Sequence, residues 1–415
     1  MRIVFFFLTS QLVLSSVIAT AARCENGFSG PAEIYGRISL ETRQFFENGA
    51  HPDQRSHASG ISAEVTAYLE DDLGRSITVT PFVRYDYGDP ERNQVDLREA
   101  YLLMYGDIGN NEWELRLGID RVFWGVVESR SLVDIVNQTD ILENPNEKIK
   151  MGQPMVHATL SGDWGVFELF GLTWHRPRSF PGRHGRLRAP LVVDTDKTKY
   201  ESRAGKWNVD LAARYTNSFG PLDIGLSAFN GTSREPVLVP ILTEDPPVLA
   251  PHYNRITQFG LDTQFTSGSW LFKLEAIHRG GAQDSVNPEE DYSAFVIGAE
   301  HTIYSILDSN ADLTLFAEWA HDGRGRRATN AFENDVFLAA RVGLNDEYDT
   351  EFVASIVKSL DTNSRVFGAE FNRRISDNWS LTVEASAFSG VGPEDALLYP
   401  VRRDSNASIN LDYSF

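Results

Sequence analysis

The sequence predicts an all-β fold, a transmembrane antiparallel β-barrel of about 18 strands (16–18) with short turns at one end and long loops at the other. Three observations carry this. Apolar and polar residues alternate with period two along most of the chain, the pattern of strands with two unlike faces. The connections between the alternating segments are short and long by turns. Seven of the eight tryptophans fall near segment ends, where the two interfaces of a bilayer concentrate aromatic side chains.

Taken in order, the 415-residue chain first shows an export address. Residues 1–22 read as a signal peptide: Arg2, an apolar run from Ile3 to Ile18, then the small residues Ala19-Thr20-Ala21-Ala22 that a cleavage site requires. Arg23 is not the small residue that lipoprotein processing needs before Cys24. The single cysteine excludes an internal disulfide. After residue 22 nothing approaches the ~18 apolar residues of a membrane helix. With 58 acidic against 38 basic side chains, the balance argues against a nucleic-acid partner. Residues 23–415 read as one barrel domain.

The alternating segments are each roughly 9–12 residues long, enough for a tilted strand to cross a bilayer. Ile61, Ala63, Val65, Ala67 and Leu69 alternate with Ser62, Glu64, Thr66 and Tyr68. Leu313, Leu315, Ala317 and Trp319 behave alike, as do Leu381, Val383, Ala385 and Ala387. Glu99 and Glu370 break the pattern, falling on faces otherwise apolar. Tight connections are expected near 70–75, 106–112, 161–165, 217–221, 266–269, 302–312, 345–349 and 376–378. Longer ones separate them, with a short exception near 361–364. In a bacterial outer membrane the turns would be periplasmic and the loops extracellular. Trp113, Trp164, Trp270 and Trp379 lie beside the tight turns, and Trp174, Trp207 and Trp319 at the opposite strand ends. The exception is Trp124.

In the last strand Ile409, Leu411, Tyr413 and Phe415 alternate with Ser408, Asn410, Asp412 and Ser414. This ending resembles the C-terminal assembly signal of bacterial outer-membrane barrels. With the export address, the chain resembles an outer-membrane porin-type protein of a Gram-negative bacterium. That resemblance implies as partners the barrel assembly machinery, reading Tyr413 and Phe415, outer-membrane lipid and lipopolysaccharide, and small solutes. It does not give the oligomeric state.

Eighteen strands enclose a lumen too wide for their own side chains to fill, so an aqueous channel is the expected interior. Arg37, Arg84, Arg98, Arg116, Arg214 and Arg341 fall on its wall, with Glu41, Glu64, Asp86, Glu114, Asp262, Glu318 and Glu384. Both signs line the pore. The third long connection, 120–153, is too long for a hairpin and too apolar to float in water. Ser131 followed by Asp134 reads as a helix start, with Leu132, Ile135 and Val136 on one face. The segment resembles the third loop of general porins, which folds inward and narrows the pore. Arg121, Trp124, Glu128, Arg130, Asp134, Asn137 and Asp140 would then make the constriction, Trp124 as a buried anchor and the charges as a filter. The loop could instead cap the mouth as a lid. Trp124-Gly125, then Asn137 and Asp140, after Leu117-Gly118-Ile119-Asp120-Arg121, is similar to a pattern in an uncharacterised family of bacterial outer-membrane porin-like proteins.

The loop at 176–206 carries nine basic residues, among them Arg183, Arg186 and Arg188, against three acidic ones. It would attract anionic solutes to the mouth, or else bind lipopolysaccharide phosphates or acidic neighbouring loops. No Gly-x-Ser-x-Gly or His-Glu-x-x-His motif occurs and the nine histidines are scattered, so the reading is not an enzyme. The absence of a Cys/His cluster implies no metal and no cofactor. The expected function is passive diffusion of small hydrophilic solutes, with an anionic bias. The alternatives are a barrel component of an export or envelope-assembly complex and, further off, an outer-membrane hydrolase.

Overall fold

The computed structural model describes residues 32–144, 148–283, 290–330 and 333–415. The predicted signal peptide lies outside the described residues. The first strands are β1 Glu33–Phe45, β2 His57–Glu70, β3 Ser76–Asp86, β4 Gln94–Ile108, β5 Asn111–Asp120, β6 Gln153–Gly162 and β7 Gly165–Leu172. There follow β8 Val192–Val193, β9 Lys199–Tyr200, β10 Asp210–Phe219, β11 Leu222–Thr232, β12 Val237–Ile241, β13 Val248–Tyr253, β14 Arg255–Ser267 and β15 Trp270–Ala282. The last are β16 Glu290–Ile303, β17 Asp312–Asp322, β18 Asn334–Gly343, β19 Glu351–Ser359, β20 Arg365–Arg374, β21 Trp379–Ser389 and β22 Asn406–Ser414.

All but β8, β9, β12 and β13 join one 18-stranded antiparallel sheet. It closes where β22 pairs with β1, Gly36 and Phe415 exchanging backbone hydrogen bonds of 3.0 and 3.1 Å. Closure leaves no strand edge, the condition for a sheet to stand in lipid. The other four strands form a small sheet among the long loops, with β12 antiparallel and β8 and β9 parallel to β13. Tight turns and long connections alternate as the sequence predicts, including the short exception at 360–364.

The alternation sorts the two faces. Leu169, Leu211, Leu226, Phe259, Phe272, Ile297 and Phe352 stand exposed on the outer wall, as a lipid-facing surface requires. Trp113, Trp164, Trp270 and Trp379 are likewise exposed at the short-turn end. Tyr413 packs on Trp379 with ring centres 5.0 Å apart. On the inner wall Arg214, Asp262, Lys273, Glu275 and Glu318 are buried. Glu99 has a simple explanation. A bulge between Thr80 and Pro81 of β3 makes Glu99 the partner of Thr80 and Leu97 the partner of Pro81. One extra residue reverses the phase of a strand, so Arg98 and Glu99 both turn inward. Glu370 pairs with Glu384 and also faces the lumen.

The apolar core is inside the barrel. Trp124, Val133, Ile135 and Val136 of the long connection cluster with Phe170, Leu172, Phe229, Ile256, Ile277 and Ala294 of the inner wall. The wall from β7 to β16 thus has an apolar inner patch, covered by one loop.

Candidate functional site

The segment joining β5 to β6, in its described residues 121–144 and 148–152, lies inside the barrel and is fastened by its backbone. Glu275 on β15 accepts hydrogen bonds from the amides of Val126 (2.7 Å), Val127 (3.2 Å), Leu132 (2.6 Å) and Val133 (3.3 Å), and from Ser131 Oγ (3.0 Å). Glu318 on β17 accepts from the amides of Glu128 and Ser129, both at 2.8 Å, and from Ser129 Oγ at 2.5 Å. Here the predicted helix at Ser131 is corrected: residues 121–140 contain none. A helix starting at Ser131 would leave the amides of Leu132 and Val133 without carbonyl partners of its own. The wall carboxylates take the loop amides, and charge-assisted bonds of this kind outweigh neutral ones.

Each residue of the Trp-Gly and Asn-x-x-Asp pattern has a part in this seating. Trp124, 3% exposed, meets the Phe170 ring edge-on at 5.5 Å, with the Arg214 guanidinium 5.3 Å from its own ring. Gly125 has φ +136°, and a β-carbon there would lie 2.8 Å from Glu275 Oε1; only glycine lets the chain wrap this carboxylate. Asn137 accepts from the Val122 amide at 3.0 Å and donates to the carbonyls of Asp120 and Met151, both at 2.9 Å, closing the base of the loop. Asp140 accepts from Arg98 Nη2 at 2.8 Å and from the amides of Leu142 and Glu143 at 3.2 Å. The Leu142 carbonyl also accepts from Arg84 and Arg92 at 3.3 and 3.0 Å.

The sequence-predicted site residues therefore separate into two groups. Trp124, Asn137 and Asp140 are buried in the loop's attachment, as is the Asp134 side chain, which meets Lys150 at 3.1 Å. Burial raises the Asp134 carboxyl above its ordinary range, against the pull of Lys150. Arg121, Glu128 and Arg130 keep some exposure. Arg121 pairs with Glu99 at 3.2 Å, Glu128 with Lys273 at 3.1 Å and Arg130 with Glu235 at 2.7 Å. On the wall, Arg98 is fully buried among Asp96, Asp140 and Glu143 over the Phe82 ring, so it holds the loop and does not face open water. Arg84 and Arg214 are nearly buried too, Arg214 against Asp262 at 2.8 Å. Arg116, paired with Glu114 and Asp120, and Arg341, near Glu351, retain exposure.

The open space beside the loop is lined by the predicted Arg121 and also by residues further along the chain than the sequence suggested. A cavity of about 400 Å³ is lined by Arg37, Glu64, Arg121, Phe123, Glu143 and Lys150. A second, about 180 Å³, lies between Glu143, Asn144 and Ile149 and the wall residues Arg37, Glu41, Glu384 and Asp412. Burial raises the Glu143 carboxyl, with Arg98 and Arg84 opposing. Nothing in the sequence singled out 141–150, since its position depends on what pins residues 122–140.

The basic loop between β7 and β10 lies across the mouth. Arg186, 2% exposed at its side chain, pairs with Asp404 at 2.7 Å and sits over the Phe45 ring. Arg176 pairs with Asp96 at 2.6 Å and Arg183 with Asp53 at 2.8 Å. Arg188 is 8% exposed and donates to the carbonyls of Ala189 and Pro190. Of the three arginines expected to attract anions, only Arg183 is open to solvent. The charge reversal of this loop is matched by the acidic loops it touches.

No protein-family model matches the chain, and no curated protein matches it in sequence. Among solved structures the chain is similar to a mutant of the Rh. blastica porin, at 10% identity and TM-score 0.40, with 93% of this chain and 100% of that chain covered. It is also similar to OmpT, an outer membrane protein of Vibrio cholerae, at 11% identity and TM-score 0.45, with 93% and 99% covered.

Proposed function

We propose that this protein is a porin-type channel of a bacterial outer membrane, through which small hydrophilic solutes diffuse passively, with the third long loop as its constriction. One observation carries the reading: a single loop is tied by its backbone to Glu275 and Glu318 on one wall and by Asp140 to Arg98 on another. A barrel of this strand number has a lumen to spare, and a loop fixed across it leaves a passage bounded by charges of both signs. Opposed charges at a narrow point select by size and sign. The exposed apolar outer wall suits contact with lipid, and the loop end suits contact with lipopolysaccharide. Tyr413 and Phe415 are the residues the assembly machinery would read.

The deciding measurement is conductance of the purified, folded barrel in a planar bilayer. Discrete open-channel steps are expected. Deleting residues 143–150 should enlarge them and relax discrimination among solutes. A folded barrel with no conductance would refute the channel. An unchanged conductance in the deletion variant would refute the constriction.

A further inference from the structure

A separate cavity, about 320 Å³, lies on the other side of the loop, bounded by residues of the loop, by β15 and β16, and by Arg178, Arg234 and Glu235. Its size lies within the about 300–1,000 Å³ of small-molecule pockets. The lining divides by chemistry. Leu132, Ile135, Ile277, Tyr292 and Ala294 make an apolar side, and Arg130, Arg178, Arg234 and Arg279 a cationic one. Four carboxylates also line the cavity, Glu128, Asp134, Glu235 and Asp322, and Glu235 is the one set among these arginines. Glu235 accepts from Arg130 Nη2 at 2.7 Å, Arg279 Nη1 at 3.5 Å and Thr329 Oγ1 at 3.3 Å. Burial alone would raise this carboxyl, but Arg130, Arg279, Arg324 and Arg178 together hold it well below the usual range. Arg279 and Arg324 also flank the Tyr292 ring at 5.6 and 3.8 Å. Arg234 is bound to Asp210 at 3.0 Å, yet its buried Nη2 has no hydrogen-bond partner among the described residues.

We propose that this cavity binds a small carboxylate with an apolar body, and that Glu235 is a resident carboxylate which the solute displaces from the arginines. The inference rests on the channel reading only for how the solute arrives. Guanidinium groups recognise carboxylates through paired N–H donors, and this cluster already does so with a carboxylate of its own. Glu235 is on a loop, three residues beyond the end of β11, with its backbone braced by Ser233 Oγ (3.1 Å to its amide), so its side chain can swing without unpairing a barrel strand. The apolar side sets the second requirement. An anion with no body would leave Ile277, Leu132 and Tyr292 facing water, and a neutral solute would leave the arginines with Glu235.

The test is titration calorimetry of the detergent-folded barrel with 3-phenylpropionate, with acetate and 3-phenylpropanol as controls. Phenylpropionate alone should bind. Glu235→Gln should tighten it by roughly fivefold or more, the size of an ordinary coupling between two charged groups competing for one site. Arg130→Gln, on the loop and outside the barrel strands, should weaken it. Both variants should keep the β-sheet circular dichroism of the parent. Weaker or equal binding in Glu235→Gln, or equal binding of acetate, would overturn the proposal. Planar-bilayer conductance is read separately: binding without conductance would sink the channel and spare the site, and conductance without binding would do the reverse.

Discussion

Residues 122–140 and 141–150 belong to one loop, yet the first stretch is held almost wholly by the inner wall. In the second, Glu143, Asn144 and Ile149 face β1, β2, β21 and β22 across open space. In the first, charge is structural. The carboxylates of Glu275 and Glu318 are spent on backbone amides, and Asn137 and Asp140 on closing and tying the loop. In the second, Glu143 and Lys150 border open space opposite Arg37 and Glu64, although Glu143 is paired with Arg98 and Lys150 with Asp134. The lesson is that abundance of charge in a pore loop does not mark its filter. What matters is which charges border open space once the loop has been fixed in place.

The strongest way to break this contrast is Glu275→Gln. One carboxylate meets four amides and a hydroxyl; glutamine offers a single acceptor and turns an N–H₂ group toward donors. Each buried donor left unmet costs ~1–3 kcal/mol, and several share this carboxylate. The loop should lift from the wall while the barrel stays closed. Single-channel conductance should rise markedly, and limited proteolysis should cut within 122–133. If conductance and protection both match the parent, apolar packing around Trp124 holds the loop unaided.

A smaller effect is expected on the open side. Glu64 is 27% exposed and lies 3.8 Å from Arg121. Glu64→Gln should leave conductance and protease resistance unchanged but move the zero-current potential in a salt gradient toward anions. A unit charge about 10 Å from a passing ion in water is worth about 0.4 kcal/mol, so a roughly twofold change in permeability ratio is expected. A change in conductance with no change in selectivity would mean that Glu64 supports the loop instead of facing the solute.

The sequence displayed the repeating part of this molecule and hid the singular part. Strands and turns were legible because each is written locally, in period two and in turn residues. Glu99 was illegible because a bulge in the pairing of β3 with β4 reverses the phase of one strand. The loop's composition set it apart from the alternating strands, and Trp124 from the tryptophans at the strand ends. Its backbone was misread as helical because the acceptors for its amides, Glu275 and Glu318, lie more than a hundred residues away. The roles of Asp134, Asn137 and Asp140 were misplaced for the same reason, since burial is set by partners such as Lys150 and Arg98. The same holds at the mouth, where Arg186 is consumed by Asp404.

The smallest effect sharpens the contrast from outside the lumen altogether. Glu333 lies in the loop before β18; burial, then Asp335, Asp395, Asp361 and Asp322, push its carboxyl up to about 7. It is therefore protonated below that pH and ionised above it, while an ordinary glutamate would be ionised throughout. As pH falls from about 8 to about 6 the mouth loses the Glu333 charge, and the preference for cations should fall slightly at low salt, by less than the roughly twofold change assigned to Glu64. Glu333→Gln should flatten that step. The folded-state value lies above the unfolded one, so folding takes up a proton here and stability should rise as pH falls through about 7 toward about 5. Salt separates the two positions. At 1 M the screening length is about 3 Å, which should remove more of the effect of a charge at the mouth than of one in the confined lumen. If the Glu333 step survives high salt as well as the Glu64 shift does, the mouth is as confined as the constriction, and the division between the loop's two halves is not what sets selectivity.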